Sequence, residues 1–318
     1  MCGRTACSLR KESILERLAS QFNGKKKFEW RSAQSVGDFT PSFNKAPGSF
    51  NPVIISSSHL NSAFECNAQL GIVKVMLWGL IPSFVSNALH QASSGNKFAT
   101  TNARAENILE RPSYMDCIKH RRRCVILAQG FYEWKKLEGG KKTPFFISLP
   151  GESEPLMLLA GFFSVNREKS LFSYSIITTG AVNEVANIHD RMPVIFRDPE
   201  DIFEWINPEL CSPVSVSLLT LLILSPTVRF LQQLINKLKL LELKIYPVTP
   251  LMNSTSFDCP QCIEPLDHSK PCVYAHSVRD CPKDRKIAQF FTMKRKISEN
   301  TESTLEEESA SKKRLEDL

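Results

Sequence analysis

The chain has 318 residues, 42% of them hydrophobic and 23% charged, the balance of a soluble globular protein with one large core or two modest ones. Its formal charge of +7 permits an anionic partner such as nucleic acid without demanding one. The longest apolar stretch, Val214 to Leu224, falls short of the roughly 20 residues a membrane-spanning helix needs, so it reads as core and no membrane partner is expected.

The chain opens Met1-Cys2-Gly3-Arg4. Removal of Met1 ahead of a small residue would leave Cys2 as a 1,2-aminothiol. With an α-amine pKa of about 7.7–8.0 and a thiol pKa of about 8.5, a useful fraction of such an amine is unprotonated at neutral pH. An aldehyde meeting it forms a Schiff base, and the thiol then closes on the imine carbon to give a thiazolidine. The plain alternative is a frayed end that happens to carry Cys. Residues 8–20 are charged and amphipathic, so no signal peptide is expected, and the ten cysteines are expected as reduced thiols in an intracellular compartment.

Ile14, Leu15, Leu18, Ala19 and Phe22 recur at helical spacing, and Ser13 with Glu16 makes a capping box, which predicts a helix over Ser13 to Phe22. After a polar segment through Trp30, Pro41 to Pro47 reads as a rigid turn between two prolines. Strands are predicted at 53–56, 73–77, 124–128, 144–148, 156–163, 174–179 and 245–248, short β-branched or aromatic runs between turn residues. Short helices fit 113–120, 181–188 and 199–206. Strands outnumber helices without βαβ alternation, so the expected fold is α+β, with a mostly antiparallel sheet curled toward a barrel and flanked by helices.

Chemistry-bearing residues gather in the middle of the chain. Trp78, at a strand end before Gly79, is either a core residue or a stacking platform for a base. Asn102, Arg104 and Glu106 alternate, so in an extended chain all three point one way, which suits a cleft better than a core. The run Lys119-His120-Arg121-Arg122-Arg123 is either a phosphate contact or a solvated face. Glu133 stands among Phe131, Tyr132 and Trp134, and apolar surroundings would raise its pKa toward neutrality; ion pairing with Lys135 or Lys136 is the alternative. His189, one of six histidines, lies between Asn187 and the pair Asp190-Arg191 and is a candidate for proton transfer.

The ordered motifs MCGR, PSFNKAP, WGLIPSF, TTNARAE, GFYEWKK, NIHDRMPVIF and YPVTPLMN resemble the SOS-response-associated peptidase family over residues 2–206 and 244–266. The resemblance implies that Cys2 is the nucleophile, becoming covalently attached to the ring-opened aldehyde of an abasic site in single-stranded DNA. It implies that Asn102 orients the terminus, that Glu133 is the general acid/base for sugar opening, and that His189 assists Schiff-base formation and reversal. Arg4, Arg104 and Arg191 match phosphate contacts, and Trp78 with Pro41 matches apolar residues that meet unstacked bases. No cofactor or metal is implied. A monomer acting in the nucleus is expected.

Residues 1–266 are expected to form this domain, with an atypical apolar connection over about 207–243 that has helical spacing at Phe230, Leu234, Leu238 and Leu241. Residues 267–318 read as a polar, disordered tail with basic triplets at 294–296 and 312–314. Cys259, Cys262, His268 and Cys272 invite a zinc reading, but the spacing C-x2-C-x5-H-x3-C lacks a clean second pair. Within the tail, Ile287, Phe290 and Phe291 resemble the three apolar positions of the peptide by which replication proteins dock on the sliding clamp, with Asp284 in place of the usual Gln. Two other function classes stay open: a cysteine peptidase or autoprotease pairing Cys2 with His189, and a noncovalent reader of modified DNA bases, which would not need Cys2.

Overall fold

The structure, a computed structural model, describes residues 2–31, 37–60, 70–85, 100–151, 154–166, 171–208 and 226–266. All of these belong to one compact unit, Met1–Tyr274. Ile287, Phe290 and Phe291, both basic triplets, His268, Cys272 and the apolar run 214–224 lie outside the described residues.

The seven predicted strands are all present, together with several that the pattern of apolar residues did not reveal. The described strands are β1 (Thr5–Cys7), β2 (Lys27–Trp30), β3 (Ser42–Lys45), β4 (Phe50–Ser56), β5 (Leu70–Trp78), β6 (Asn102–Arg104), β7 (Arg123–Ala128), β8 (Gly130–Lys136), β9 (Lys142–Ser148), β10 (Met157–Val165), β11 (Phe172–Gly180), β12 (Arg191–Pro193) and β13 (Lys244–Pro247). The α-helices are α1 (Lys11–Gln21), α2 (Pro112–Lys119), α3 (Asp201–Ile206) and α4 (Pro226–Lys237). Helix α1 begins earlier than the capping box implied: Arg10 is its N-cap, without a side-chain cap, and Ser13 lies inside the first turn. The helix expected over 181–188 is a 3-10 segment, Asn183–Asn187. The segment read as a rigid turn between two prolines is instead β3, extended because β1 supplies a pairing partner, with Thr5 opposite Lys45.

The fold is α+β with a curled, mostly antiparallel sheet. In the larger sheet β10, β7, β4 and β5 follow β11 in order, and β5 pairs back to β11 through Ser173 opposite Leu77 and Tyr174 opposite Trp78, so these five strands close on themselves. Closure removes two edges, which would otherwise be open to pairing with another chain. The second sheet runs β13-β9-β8-β1-β3. β7 and β8 are nearly continuous, separated by Gln129, whose N–H donates to Ala6 O at 2.7 Å and whose side-chain oxygen accepts from Ser8 N and Ser8 Oγ.

Period-two alternation splits the ring strands between two cores. Ile54, Val73, Val125, Leu127, Leu158, Ala160, Phe162 and Ile177 pack with the apolar faces of the helices, among them Ile14 and Leu18 of α1, Cys117 of α2, Trp205 of α3 and Leu234 of α4. The alternate residues Val53, Met76, Ile126, Leu159 and Ile176 form the other core, and it contains Cys2. Since the strands are covered on both faces, they read as continuous apolar runs rather than as alternating ones. The amphipathic 230–241 segment docks as α4 plus a 3-10 turn, with Phe230, Leu231, Leu234, Leu238 and Leu241 all buried.

Arg123 fixes the helical layer to the sheet. It is fully buried, and its guanidinium donates to Trp205 O at 2.5 Å, Asn207 O at 2.8 Å and Thr227 Oγ1 at 2.8 Å. A cation at the carbonyl end of α3 is favoured both by the free carbonyls and by the helix dipole.

Gly161, in β10, sits where strands crowd: a Cβ there would meet the Ile126 side chain and lie 2.7 Å from the Ser175 carbonyl oxygen. Gly161→Ala is expected to lower stability by about 1–3 kcal/mol through overpacking, read as a fall in the urea midpoint at unchanged slope; an unchanged midpoint would show that the ring gives way freely there.

A candidate active site around Cys2

Backbone pairing brings the chain start against Glu133. β1 runs antiparallel to β8 with Thr5 opposite Phe131, and Tyr132 N donates to Arg4 O at 3.0 Å. Continuing that register places residues 2–3 beside 133–134. Alternation along β8 then assigns the side chains: Phe131 joins the core that holds Cys2, Glu133 points the same way, and Tyr132 points oppositely, donating to Phe43 O at 2.6 Å.

Arg4 locks this arrangement. Its Nη1 donates to Asn44 Oδ1 at 2.5 Å and Met252 O at 3.1 Å, and its Nη2 to Asn253 O at 3.0 Å. Asn44 in turn donates to Met252 O, Ser254 O and Phe257 O. The guanidinium expected to meet phosphate is therefore spent on tying the start of the chain to the segment after β13.

Asn102 arrives from another direction, on β6, which runs parallel to β11 with Asn102 opposite Ile176. Its Nδ2 donates to Cys2 O at 2.8 Å, while its Oδ1 is buried and accepts nothing. Tyr114 of α2 supports it by donating from its hydroxyl to Asn102 O at 3.0 Å. The sequence carries no signal for Tyr114 beyond its place in an amphipathic helix, because its partner is twelve residues away on a different element.

His189 follows the 3-10 segment 183–187, with Nε2 3.8 Å from Glu133 Oε2. The backbone N–H of Arg191 donates to His189 Nδ1 at 3.0 Å, so Nδ1 acts as acceptor and the proton of the neutral ring sits on Nε2, toward Glu133. Asp190 Oδ1 also approaches Nδ1 at 2.9 Å, but its side chain is 85% exposed, and a backbone N–H that can only donate decides the tautomer.

These environments push the groups toward mutual proton exchange. Burial, offset in part by the chain's terminal ammonium, raises the Glu133 carboxyl to about 7. Burial, then the terminal ammonium, lowers the His189 imidazole below its ordinary value. Burial, then the Glu133 charge, raises the Cys2 thiol above its ordinary value, so it stays protonated at neutrality. A half-ionised carboxyl beside a neutral imidazole can deliver or take a proton near pH 7.

The remaining expected contacts divide. Arg104 is exposed at the end of β6, and Pro41 is exposed before β3. Arg191 is engaged by Glu106 through both carboxylate oxygens, at 2.7 and 3.0 Å, and by Thr178 O at 2.8 Å. Glu106 itself lies in a 3-10 turn rather than continuing β6. Trp78 is a correction: it is wholly buried, stacks on Tyr174 at 6.2 Å and donates from Nε1 to Thr101 O at 3.1 Å, so it presents no open face to a base. Closure of the ring at Tyr174 opposite Trp78 is what covers it. Cys259 and Cys262 flank a 3-10 turn, and among the described residues no group of three or more His, Cys, Asp or Glu is arranged to hold a metal ion. Nor is any described helix long and apolar enough to cross a membrane.

The sequence profile of a family described as SOS response associated peptidase (SRAP) matches residues 1–255. A Gallus gallus protein named abasic site processing protein HMCES is 31% identical over 294 residues, covering 85% of this chain and 80% of that one. The Bacillus subtilis (strain 168) abasic site processing protein YoqW is 32% identical over 267 residues, covering 83% and 99%. A crystal structure of a protein from Bacteroides thetaiotaomicron superposes with a TM-score of 0.55 at 22% identity, over 84% of this chain and all of that one, a likeness of fold.

A carboxyl raised from 4.5 to about 7 binds its proton more tightly folded than unfolded, so the stability it lends is complete below about pH 4.5 and lost as pH rises through 7. Glu133→Gln removes that loss. Its urea midpoint relative to the parent chain is expected to be higher at pH 8 than at pH 5; an equal difference at both would mean Glu133 titrates as an ordinary carboxylate.

Proposed function

The chain belongs to the SOS response associated peptidase (SRAP) family, and from that premise we propose that it captures abasic sites in single-stranded DNA by forming a thiazolidine at Cys2 once Met1 is removed. The observation that carries this reading is the juxtaposition of a buried Cys2, its carbonyl held by Asn102, with a carboxyl whose pKa lies near 7. Relatives named abasic site processing proteins align over more than four fifths of the chain, which supports the substrate class and a role in DNA repair.

In the proposed reaction Glu133, protonated, gives its proton to the ring oxygen of the closed sugar as the C1′–O4′ bond breaks, and the carboxylate so formed takes the proton of the C1′ hydroxyl, leaving the open aldehyde. The α-amine of Cys2 adds to C1′, and water leaves to give the imine. The thiol then adds across C=N: sulfur bonds to C1′, and the thiol proton passes to nitrogen by way of the Glu133 carboxylate. Asn102 Oδ1, a buried acceptor without a donor, fits the N–H of the attacking amine, a pairing that would relieve a cost of about 1–3 kcal/mol. The exposed Arg104 supplies a cation for the strand's backbone.

A thiolate peptidase fits the geometry less well. Such a reaction needs a low thiol pKa, and both burial and the Glu133 charge act the other way. A noncovalent base reader would leave the position of Cys2 without a purpose.

Mixing the protein with a single-stranded oligonucleotide carrying one abasic site and resolving the products on a denaturing gel tests the proposal. A heat-stable covalent band is expected from the parent chain, none from Cys2→Ala or from a chain with a blocked amine, and a band slowed by about 10²–10⁴-fold in single-turnover assays of Glu133→Gln. Wild-type yield from Cys2→Ala would remove the thiazolidine from the mechanism.

A further inference from the structure

The motif Cys259-Pro260-Gln261-Cys262 takes no part in the chemistry around Cys2, yet it adjoins the segment that holds the chain start. Cys262 N donates to Cys259 O at 3.0 Å, closing a turn with Pro260 at its second position, where the fixed φ of proline suits it. Such a turn brings its first and last Cα within about 7 Å, and a disulfide spans Cα separations up to about 6.8 Å, so closure of the backbone sets the two cysteines near bridging distance. The side chains meet as well. The Cys259 and Cys262 thiols are hydrogen-bonded to each other, and the Cys259 backbone N–H donates to the Cys262 sulfur.

The two thiols differ in access. Cys262 is buried among Ala6, Tyr132, Phe146, Val248 and Met252, whereas Cys259 is half-buried beside the exposed Pro260 and Gln261. Burial pushes the Cys262 thiol up to about 12 against the pull of the Cys259 N–H, with Cys259 and Asp258 adding to the rise. The buried member is therefore a poor nucleophile at neutrality, and the first attack on an incoming reagent falls to Cys259. Among the described residues no group of three or more His, Cys, Asp or Glu is arranged to hold a metal ion, so the pair falls short of the four ligands of a structural zinc site. Oxidation to a disulfide needs only the two sulfurs.

The surroundings of the pair tie it to the chain start. Cys262 Sγ donates to Phe257 O at 3.5 Å, and the same carbonyl accepts from Asn44 Nδ2 at 2.8 Å. Asp258 Oδ1 accepts from Phe43 N at 2.7 Å, and Asn44 Oδ1 accepts from the Arg4 guanidinium. The turn thus abuts the hydrogen bonds through which β3 and the segment after β13 hold Arg4.

We propose that Cys259 and Cys262 form a reversible disulfide site that exchanges with small-molecule disulfides, and that the closed bridge braces the segment holding Arg4. Cys259, as thiolate, attacks one sulfur of the small disulfide; a mixed disulfide forms, the original S–S bond breaks, and the departing thiolate takes the proton of Cys262. The Cys262 sulfur then attacks Cys259 Sγ and expels the second thiolate, which takes the proton that Cys259 had lost. The chain is oxidised by two electrons, and the small disulfide is reduced to two thiols. Because the fold already holds the sulfurs in contact, the bridge keeps the turn in its present conformation while restricting the unfolded chain. The site stands independently of the covalent chemistry proposed at Cys2.

The test incubates the full chain with oxidised glutathione, blocks the remaining thiols with iodoacetamide, cleaves before aspartates and weighs the peptide 258–266, whose only cysteines are Cys259 and Cys262. That peptide is expected to be lighter than the dithiol form by two hydrogen atoms and to carry no alkyl group; after reduced glutathione it is expected to be alkylated at both sulfurs. The urea midpoint of the full chain is expected to be higher oxidised than reduced, and the difference is expected to vanish in Cys259→Ser, which retains every other cysteine. A peptide that stays alkylated at both sulfurs after oxidised glutathione, or that stops at a glutathione adduct, would overturn the disulfide site. A bridge that forms without moving the midpoint, or a shift that persists in Cys259→Ser, would overturn the bracing. The peptide measurement needs no variant, so it stays decisive if Cys259→Ser does not fold.

Discussion

Most chain termini fray, and this one is held in place. Here the restraint is the Arg4 guanidinium, which binds Asn44 Oδ1 and the carbonyls of Met252 and Asn253. These partners lie 40 to 249 residues away, so the chain start is ordered only once β3 and the segment after β13 are in place. Trp134 reinforces the same corner by donating from Nε1 to Asn253 Oδ1 at 2.7 Å. The position of Cys2 is thus a property of the finished fold.

Burial of this corner sets its electrostatics. A carboxylate removed from water is costly, so the Glu133 pKa rises, and an imidazole in the same pocket loses basicity. The two shifts run in opposite directions: the carboxyl comes up to about 7, and the imidazole moves down from its ordinary value and stays neutral there. The buried thiol is held protonated by the same forces, which work against a preformed thiolate.

Arginine serves opposite purposes within this one chain. Arg4 and Arg123 hold backbone carbonyls far apart in sequence, Arg191 is locked to Glu106, Arg122 pairs with Asp116, and Arg104 is exposed. The guanidinium fork suits all of these tasks, so residue type alone cannot assign one. Trp78 makes the same point for aromatic residues: a ring at a strand end is a platform if the edge is open and core if the edge is paired, and the pairing of β5 with β11 decides it.

Local patterning in the sequence determined the β-rich α+β class, the central strands and the amphipathic helices, because period-two and period-3.6 spacing act within a few residues. The resemblance of its motifs brought Cys2, Asn102, Glu133 and His189 into one hypothesis. Other features needed the tertiary structure. β3 is a strand because β1 supplies its partner, and β8 because it lies between β9 and β1, partners that neither segment's own sequence reveals. Tyr114 reaches Asn102 only because α2 packs over the outer core. The five-strand closure and the paired state of Arg191 depend on contacts between segments remote in sequence, which composition and spacing do not encode.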